Sequence, residues 1–279
     1  MSELSGRTFL VTGANTGIGK ETARDLAGRG ARVVVAGRSE EKSRAAIREI
    51  ADSTGNTDLD YLALDLGDLD SVRAAATTFL AAGEPLHVLI NNAGLAGKRG
   101  ITASGFELAF GTNHVGTFLL TELLREHLVA SGPGRIVNVA STAHYQAKGI
   151  DWDAVRRPSV TRTALREYAV SKLANVLHAR ELGRRLEGTG VTTYSLHPGA
   201  IASDVWREVP PGLRQALKLF MKDTTQGART TLYCATSPEV AGQTGRYYDN
   251  RREKAPSPVV TDELAAELWT RTEGWVGLR

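Results

Sequence analysis

The chain carries a single cysteine, Cys234. One thiol cannot close a disulfide within the chain, so a disulfide-built scaffold is excluded and a reducing, intracellular setting is favoured. Its neighbours Leu232, Tyr233 and Ala235 suggest a buried helix, which makes Cys234 a small core residue rather than a nucleophile. No stretch approaches the roughly 18 apolar residues that a membrane-crossing helix needs. The opening MSELSGRTFLVTG holds an acidic residue and only a short apolar run, unlike a secretory signal. A cytoplasmic protein without a membrane anchor is therefore expected. No block of five or six like charges occurs either. The formal net charge is +3, and the pI near 9.0 arises from charges mixed along the chain. Such mixing reads as a solvated surface, and no nucleic-acid partner is expected. Internal repeats and low-complexity linkers are also missing.

What is present is the material for a core. Of the 279 residues, 42% are hydrophobic and 23% charged, as in globular chains that bury a substantial interior. Apolar runs of strand length recur at 8–11, 32–36, 60–64, 88–90, 135–139 and 192–196. Segments with helical spacing lie between them, at 19–28, 40–51, 69–82, 105–130 and 168–187, and a short capped helix follows at 262–270. Continuous apolar strands rich in Val and Leu belong to a parallel sheet covered on both faces. Its connections must be right-handed crossovers. The pattern predicts a doubly wound, Rossmann-type α/β sheet in one domain spanning 1–279. Two excursions, 145–167 and 203–223, break the rhythm. Long irregular segments in a compact domain tend to be functional, and these two are expected to close over a substrate.

The first predicted strand runs into TGANTGIGK, with glycines at Gly13, Gly17 and Gly19. Glycine allows a sharp turn and a close backbone approach, and the helix that follows offers free N–H groups and a partial positive charge. A glycine cluster alone marks only a turn. Its place between the first strand and the first helix marks a dinucleotide site. The spacing is Gly-x-x-x-Gly-x-Gly rather than Gly-x-Gly-x-x-Gly, which points to a related loop. The second strand, RVVVAG, leads into Arg38, where an NAD site usually places a carboxylate for the ribose 2′-hydroxyl. A guanidinium can pair with a 2′-phosphate, and a carboxylate would repel it, so NADP(H) is the expected cofactor. The third strand ends in Leu64-Asp65-Leu66, where Asp65 either caps the next helix or meets the adenine edge. The fourth ends in Asn91-Asn92-Ala93-Gly94, a turn whose backbone calls for side-chain hydrogen bonds and whose small residues leave room for a ligand.

Tyr168 and Lys172 lie four residues apart in REYAVSKLANVLHARELGRRL, which puts them on one helix face. With TGANTGIGK, LINNAG, TNHVGTFLLTELL, STAH, YAVSKLANVLHARELGRRL and HPG in order, the chain resembles the short-chain dehydrogenase/reductase family, and within it the retinol-dehydrogenase-like branch. The match covers almost the whole chain. It implies hydride transfer between a nicotinamide and a carbonyl or alcohol, with a tetrad of Asn113, Ser141, Tyr168 and Lys172. By this resemblance Tyr168 exchanges the proton, Ser141 bonds the substrate oxygen, Lys172 holds the nicotinamide ribose, and Asn113 holds a water that links Lys172 to solvent. A unit charge about 4 Å from the phenol, at an effective dielectric of about 20, favours phenolate by about 4 kcal/mol, or roughly three pKa units. Lys172 is therefore expected to lower the Tyr168 pKa, against the opposing effect of burial. The resemblance also implies cofactor contacts from Gly13, Asn15, Thr16, Gly17, Ile18, Gly19, Arg38, Asp65, Leu66, Asn92, Ala93 and Gly94, and from Tyr168 and Lys172. In HPGAIAS the corresponding residues are Pro198, Gly199, Ile201 and Ser203, with serine where many relatives carry threonine.

Residues expected to meet substrate are Ala143, His144, Tyr145 and Trp206, with Leu95, Ala96, Trp152, Phe220 and Met221 as further candidates. Their character suits an apolar or aromatic carbonyl or alcohol. His114, His144 and His197 adjoin the motifs without metal-ligand spacing, so no metal is expected. Two competing functions remain at this stage. A 3-oxoacyl reductase would need a site for a carrier arm. A non-catalytic dinucleotide sensor should lack a tetrad residue, and none is lacking. Homo-oligomer formation is left open.

Overall fold

The computed structural model describes residues 2–199 and 224–279. Seven parallel strands form one sheet: β1 (Thr8–Thr12), β2 (Arg32–Gly37), β3 (Leu59–Ala63), β4 (Val88–Asn91), β5 (Arg135–Val139), β6 (Thr192–His197) and β7 (Arg246–Asp249). A two-residue strand, β8 (Arg252–Glu253), pairs antiparallel with β7. The order is β3-β2-β1-β4-β5-β6-β7-β8, so the chain starts mid-sheet, winds outward to β3, then returns beside β1 to wind the other way. That reversal between β1 and β4 opens a crevice beyond the carboxyl ends of the strands. This is the predicted doubly wound, single-domain fold.

The alternation of side chains divides the interior into two layers. Leu10, Val34, Leu89 and Ile136 face α3 (Leu69–Ala81), α4 (Gly116–Ala130) and α5 (Leu165–Arg185). Phe9, Val11, Val33, Val35, Ile90 and Val137 face the other way, toward α1 (Gly17–Gly28) and α6 (Thr224–Thr236). Two further helices, α2 (Glu40–Thr54) and α7 (Asp262–Trp275), open with the side-chain caps Ser39 and Thr261. Cys234 is fully buried within α6, as its neighbours suggested. No helix among the described residues is long and apolar enough to cross a membrane.

One expectation needs correction, and the excursion at 145–167 is more firmly packed than its irregular sequence suggests. The helix expected over 105–130 is interrupted. A short turn at Leu108–Phe110 leads into a π-turn at Gly111–Val115 before α4 begins. Glycines at both ends of this turn bring its backbone against neighbours: a Cβ on Gly111 would lie 2.6 Å from Thr102 Cγ2, and one on Gly116 would lie 2.0 Å from the Leu66 carbonyl oxygen. The excursion at 145–167 is not a loose cover. Val155 enters the core, and the Trp152 ring packs 6.1 Å from Trp275 with Arg271 over it. Ser159 also donates to the buried Glu107 carboxylate. The excursion predicted at 203–223 lies wholly outside the described residues.

Candidate active site

A cleft of about 500 Å³ lies at the crevice, formed by the loops that follow β1 to β6. At one end the chain leaves β1 through Gly13 and Gly17, both in the left-handed region with φ of 67° and 57°. Gly19 has a different reason to be glycine. A Cβ there would stand 2.4 Å from Asn92 Nδ2 and 2.5 Å from the Gly13 carbonyl oxygen, so the first helix could not pack down. The turn after β4 is laced to β1 from both sides. Asn92 Nδ2 donates to the Thr12 carbonyl at 2.8 Å, and the Thr12 hydroxyl accepts from the backbone N–H groups of Asn92 and Ala93, each at 3.0 Å. Asn91 faces inward, donating to Thr121 Oγ1 at 3.0 Å and Asn138 Oδ1 at 2.9 Å.

Beyond β2, Arg38 is 62% exposed along its side chain, with Nη1 3.8 Å from Asp65 Oδ2. The other Asp65 oxygen accepts from Gly67 N at 2.8 Å. The cap of α3 is Asp68, which leaves Asp65 a turn residue on the cleft wall. Lys42, in the first turn of α2, lines the same wall and was not singled out from sequence. Its signal was proximity, four residues after Arg38.

At the far end, Ser141 ends the loop entry from β5. Its hydroxyl accepts from Ala143 N at 3.2 Å and hydrogen-bonds the buried phenol of Tyr168. One turn along α5, the buried Lys172 donates from Nζ to the Val139 carbonyl at 2.7 Å, with Nζ 5.7 Å from the Tyr168 ring centre. Asn113 sits in the π-turn behind this pair. Its carboxamide clamps the Leu95 backbone, accepting from N at 2.9 Å and donating to O at 3.0 Å, and it also donates to Ser171 Oγ at 2.9 Å. A Cβ on Gly94 would lie 3.3 Å from Asn113 Oδ1 and 3.4 Å from Lys172 Nζ, so a side chain here would crowd both polar groups.

The electrostatics depart from the expected tuning. Burial pushes the Tyr168 phenol up to about 12, and the Ser141 hydrogen bond only moderates this. Burial also pulls the Lys172 ammonium down to about 7. Desolvation favours the neutral form of each. A lysine near half-protonation at neutral pH cannot exert the field of a full charge. The expected lowering of the phenol by Lys172 is therefore not realised by the protein alone.

The described residues expected to hold the cofactor, from Gly13 through Gly94 to Tyr168, Lys172, Pro198 and Gly199, all line this one cleft. Ile201, Ser203 and Trp206 lie outside the described residues. Among the expected substrate contacts, Ala143 lines the cleft and two others do not. His144 is fully buried behind the wall, with both ring nitrogens bonded to backbone. Tyr145 points outward, 44% exposed, and donates to the Ala255 carbonyl at 2.6 Å. Thr112, Thr142 and Gln146 line the cleft instead, and His197 accepts from Thr142 N at 3.3 Å. Alternation along STAHYQ does not reveal these directions, because the segment is a 3₁₀ turn.

A dinucleotide suits this donor set, with a glycine turn and helix N-terminus at one end, two cations on the side wall and a buried phenol at the other end. Residues 7–213 match the family model of the short chain dehydrogenases. The chain belongs to the short-chain dehydrogenase family. Human dehydrogenase/reductase SDR family member 13 is 46% identical over 285 residues, covering 100% of this chain and 75% of that protein. Human retinol dehydrogenase 12 is 43% identical over 289 residues, covering 99% and 88%. Among solved structures, a protein from Mycobacterium paratuberculosis aligns with a TM-score of 0.78 at 33% identity, covering 98% of this chain and 94% of that one. A Beutenbergia cavernae protein described as an NAD(P)-dependent gluconate 5-dehydrogenase, with bound NADP, aligns at 0.72 and 26% identity, covering 88% and 96%. Within the short-chain dehydrogenase family this chain falls in the retinol-dehydrogenase-like branch, whose members are oxidoreductases.

Proposed function

We propose that the protein is an NADP(H)-dependent carbonyl reductase or alcohol dehydrogenase acting on an apolar or aromatic substrate. The observation that carries this reading is the buried Tyr168 phenol bonded to Ser141, with Lys172 one turn behind, at the opposite end of the cleft from Arg38 and Lys42. When bound, the dinucleotide supplies the hydride for reduction or accepts it in oxidation. Tyr168, held protonated by its burial, donates the proton to the carbonyl oxygen. The Ser141 hydroxyl bonds that oxygen and orients it toward the phenol. Lys172 stands beneath Tyr168, and its protonated form steadies the phenolate as the proton leaves. Asn113 keeps the Leu95 turn and Ser171 in register around the pair. The Arg38 guanidinium offers a partner for a 2′-phosphate, and Lys42 stands beside it.

The test is a panel of apolar and aromatic carbonyls with NADPH and NADH, following loss of reduced-nicotinamide absorbance. Turnover by the wild type, faster with NADPH, is expected. Tyr168→Phe should bind NADPH and turn nothing over. Retained turnover in that variant would remove Tyr168 as the acid, and equal or better use of NADH would refute the NADP(H) preference.

A further inference from the structure

His144 lies directly behind the turn that carries Ser141, and its two ring nitrogens report on two different parts of the chain. Nε2 is 3.1 Å from the backbone nitrogen of Ser257, a group with only a hydrogen to offer. Nε2 must therefore be the lone-pair nitrogen. Nδ1 is 2.7 Å from the Ser141 carbonyl oxygen, a group that can only accept. The ring proton must therefore sit on Nδ1. Two backbone groups of opposite polarity thus select one neutral tautomer, and burial, which holds the imidazole below its usual pKa, agrees with a bare Nε2.

Ser257 belongs to the segment that leaves β8 and crosses the Ser141 turn. It is fastened there at further points. Tyr145 donates to the Ala255 carbonyl at 2.6 Å, and Lys254 N donates to the Tyr247 carbonyl at 2.9 Å. The His144 ring lies 4.0 Å from that of Tyr145 and edge-on to Tyr247 at 4.7 Å. At the other nitrogen, the Ser141 carbonyl accepts from His144 Nδ1 and also from its backbone N at 3.1 Å. Ser141 is extended, with φ −167° and ψ 156°. Pinning its carbonyl twice holds the peptide plane after Ser141 and the Cα–Cβ bond that carries the hydroxyl, while the bond from Ala143 N sets the rotamer.

We propose that His144, as the Nδ1–H tautomer, is a positioning residue that aims the Ser141 hydroxyl at Tyr168 and ties that aim to the C-terminal strap at Ser257. This rests on the reading of Ser141 and Tyr168 as the reacting pair. Two substitutions separate the two bonds. Asparagine places an amide donor where Nδ1 stands and nothing where Nε2 stands. Glutamine can place an acceptor at the Nε2 position and leaves the Nδ1 position without a donor. Under saturating NADPH and carbonyl, kcat of His144→Gln should fall about tenfold below that of His144→Asn, the scale of one misaligned hydrogen bond in a transition state. NADPH binding, followed by its fluorescence, should stay the same in both, and Tm should drop in both.

A merely structural histidine would give activity losses that track Tm with no difference between the two variants, and that outcome overturns the proposal. The tautomer is read independently of turnover in long-range proton–nitrogen spectra of the wild type. A protonated Nδ1 and bare Nε2 support it, and the reverse tautomer or an imidazolium overturns it. Ser141→Ala separates the two levels. Full turnover in that variant would overturn the role of Ser141 itself, whereas an inactive Ser141→Ala with equal Asn and Gln variants would overturn positioning by His144 alone.

Discussion

Replacing Lys172 with methionine isolates the effect of burying an amine beside the phenol. Burial brings Lys172 from its usual 10.5 to about 7. Between those two values the unfolded chain holds a proton that the folded chain has released. Stability therefore rises with pH across the window from 7 to 10.5, and the penalty of the buried charge is fully expressed below it. Three and a half pH units at 1.36 kcal/mol each bound that penalty at about 5 kcal/mol. About 2 kcal/mol of it is relieved between pH 7 and pH 9. Tyr168 works in the opposite sense. Its pKa is raised from 10.0 to about 12, so its contribution is intact below pH 10 and lost as pH rises through 12. The phenol therefore does not interfere below pH 9. Methionine matches the length of lysine and cannot titrate, though it gives up the bond to the Val139 carbonyl. Urea unfolding of both proteins at pH 7 and pH 9 gives the comparison, in which groups common to the two cancel. The wild type should gain about 2 kcal/mol more than Lys172→Met over that interval. Parallel pH dependences would refute the lowered pKa of the buried amine.

Arg38→Asp places a carboxylate where a guanidinium faced the cleft, and kcat/KM with NADPH should drop about a hundredfold while NADH use is spared, as measured by steady-state kinetics. Gly19→Ala drives a methyl into the Gly13 carbonyl and the Asn92 amide, so unfolding assays should show a loss of about 1–3 kcal/mol, with weaker NADPH binding. Glu122 is raised to about 7, mainly by burial, and one of its oxygens is buried without a hydrogen-bond partner although Arg125 meets the other at 3.2 Å. A carboxyl raised in the fold contributes stability below its unfolded pKa and loses it as pH climbs through 7. The advantage of Glu122→Gln over wild type should thus be about 2 kcal/mol larger at pH 8 than at pH 5 in denaturant titrations.

The central strands were legible because a strand covered on both faces must be apolar throughout, as in Val33-Val34-Val35. The strand β7 was not, since Arg246 and Asp249 bracket only two tyrosines and leave no run to detect. Asp65 and Asp68 offered the same capping chemistry three residues apart, and only the backbone path chose between them. The tetrad residues were legible as motif positions, and the structure brings Ser141, Tyr168 and Lys172 together. The spacing of Tyr168 and Lys172 said nothing of desolvation, which outweighs their mutual attraction. His144 stood in a motif beside Ser141, but its second partner is 113 residues away in sequence, and no local pattern carries such a distance.

The π-turn at Gly111–Val115 holds one residue more than the α-helical turn it replaces. Deleting Thr112 would let the segment from 108 to 130 close into an uninterrupted helix, with the faces before and after it left in place. Regular hydrogen bonds would return, and the shortened protein is expected to be the more stable one. The Asn113 carboxamide, however, would swing away from Leu95 and Ser171. The surplus residue is what presents the Asn113 carboxamide to Leu95 and Ser171. A lineage that shed it would drift toward a sturdier scaffold with nothing left to hold the turn beside Lys172.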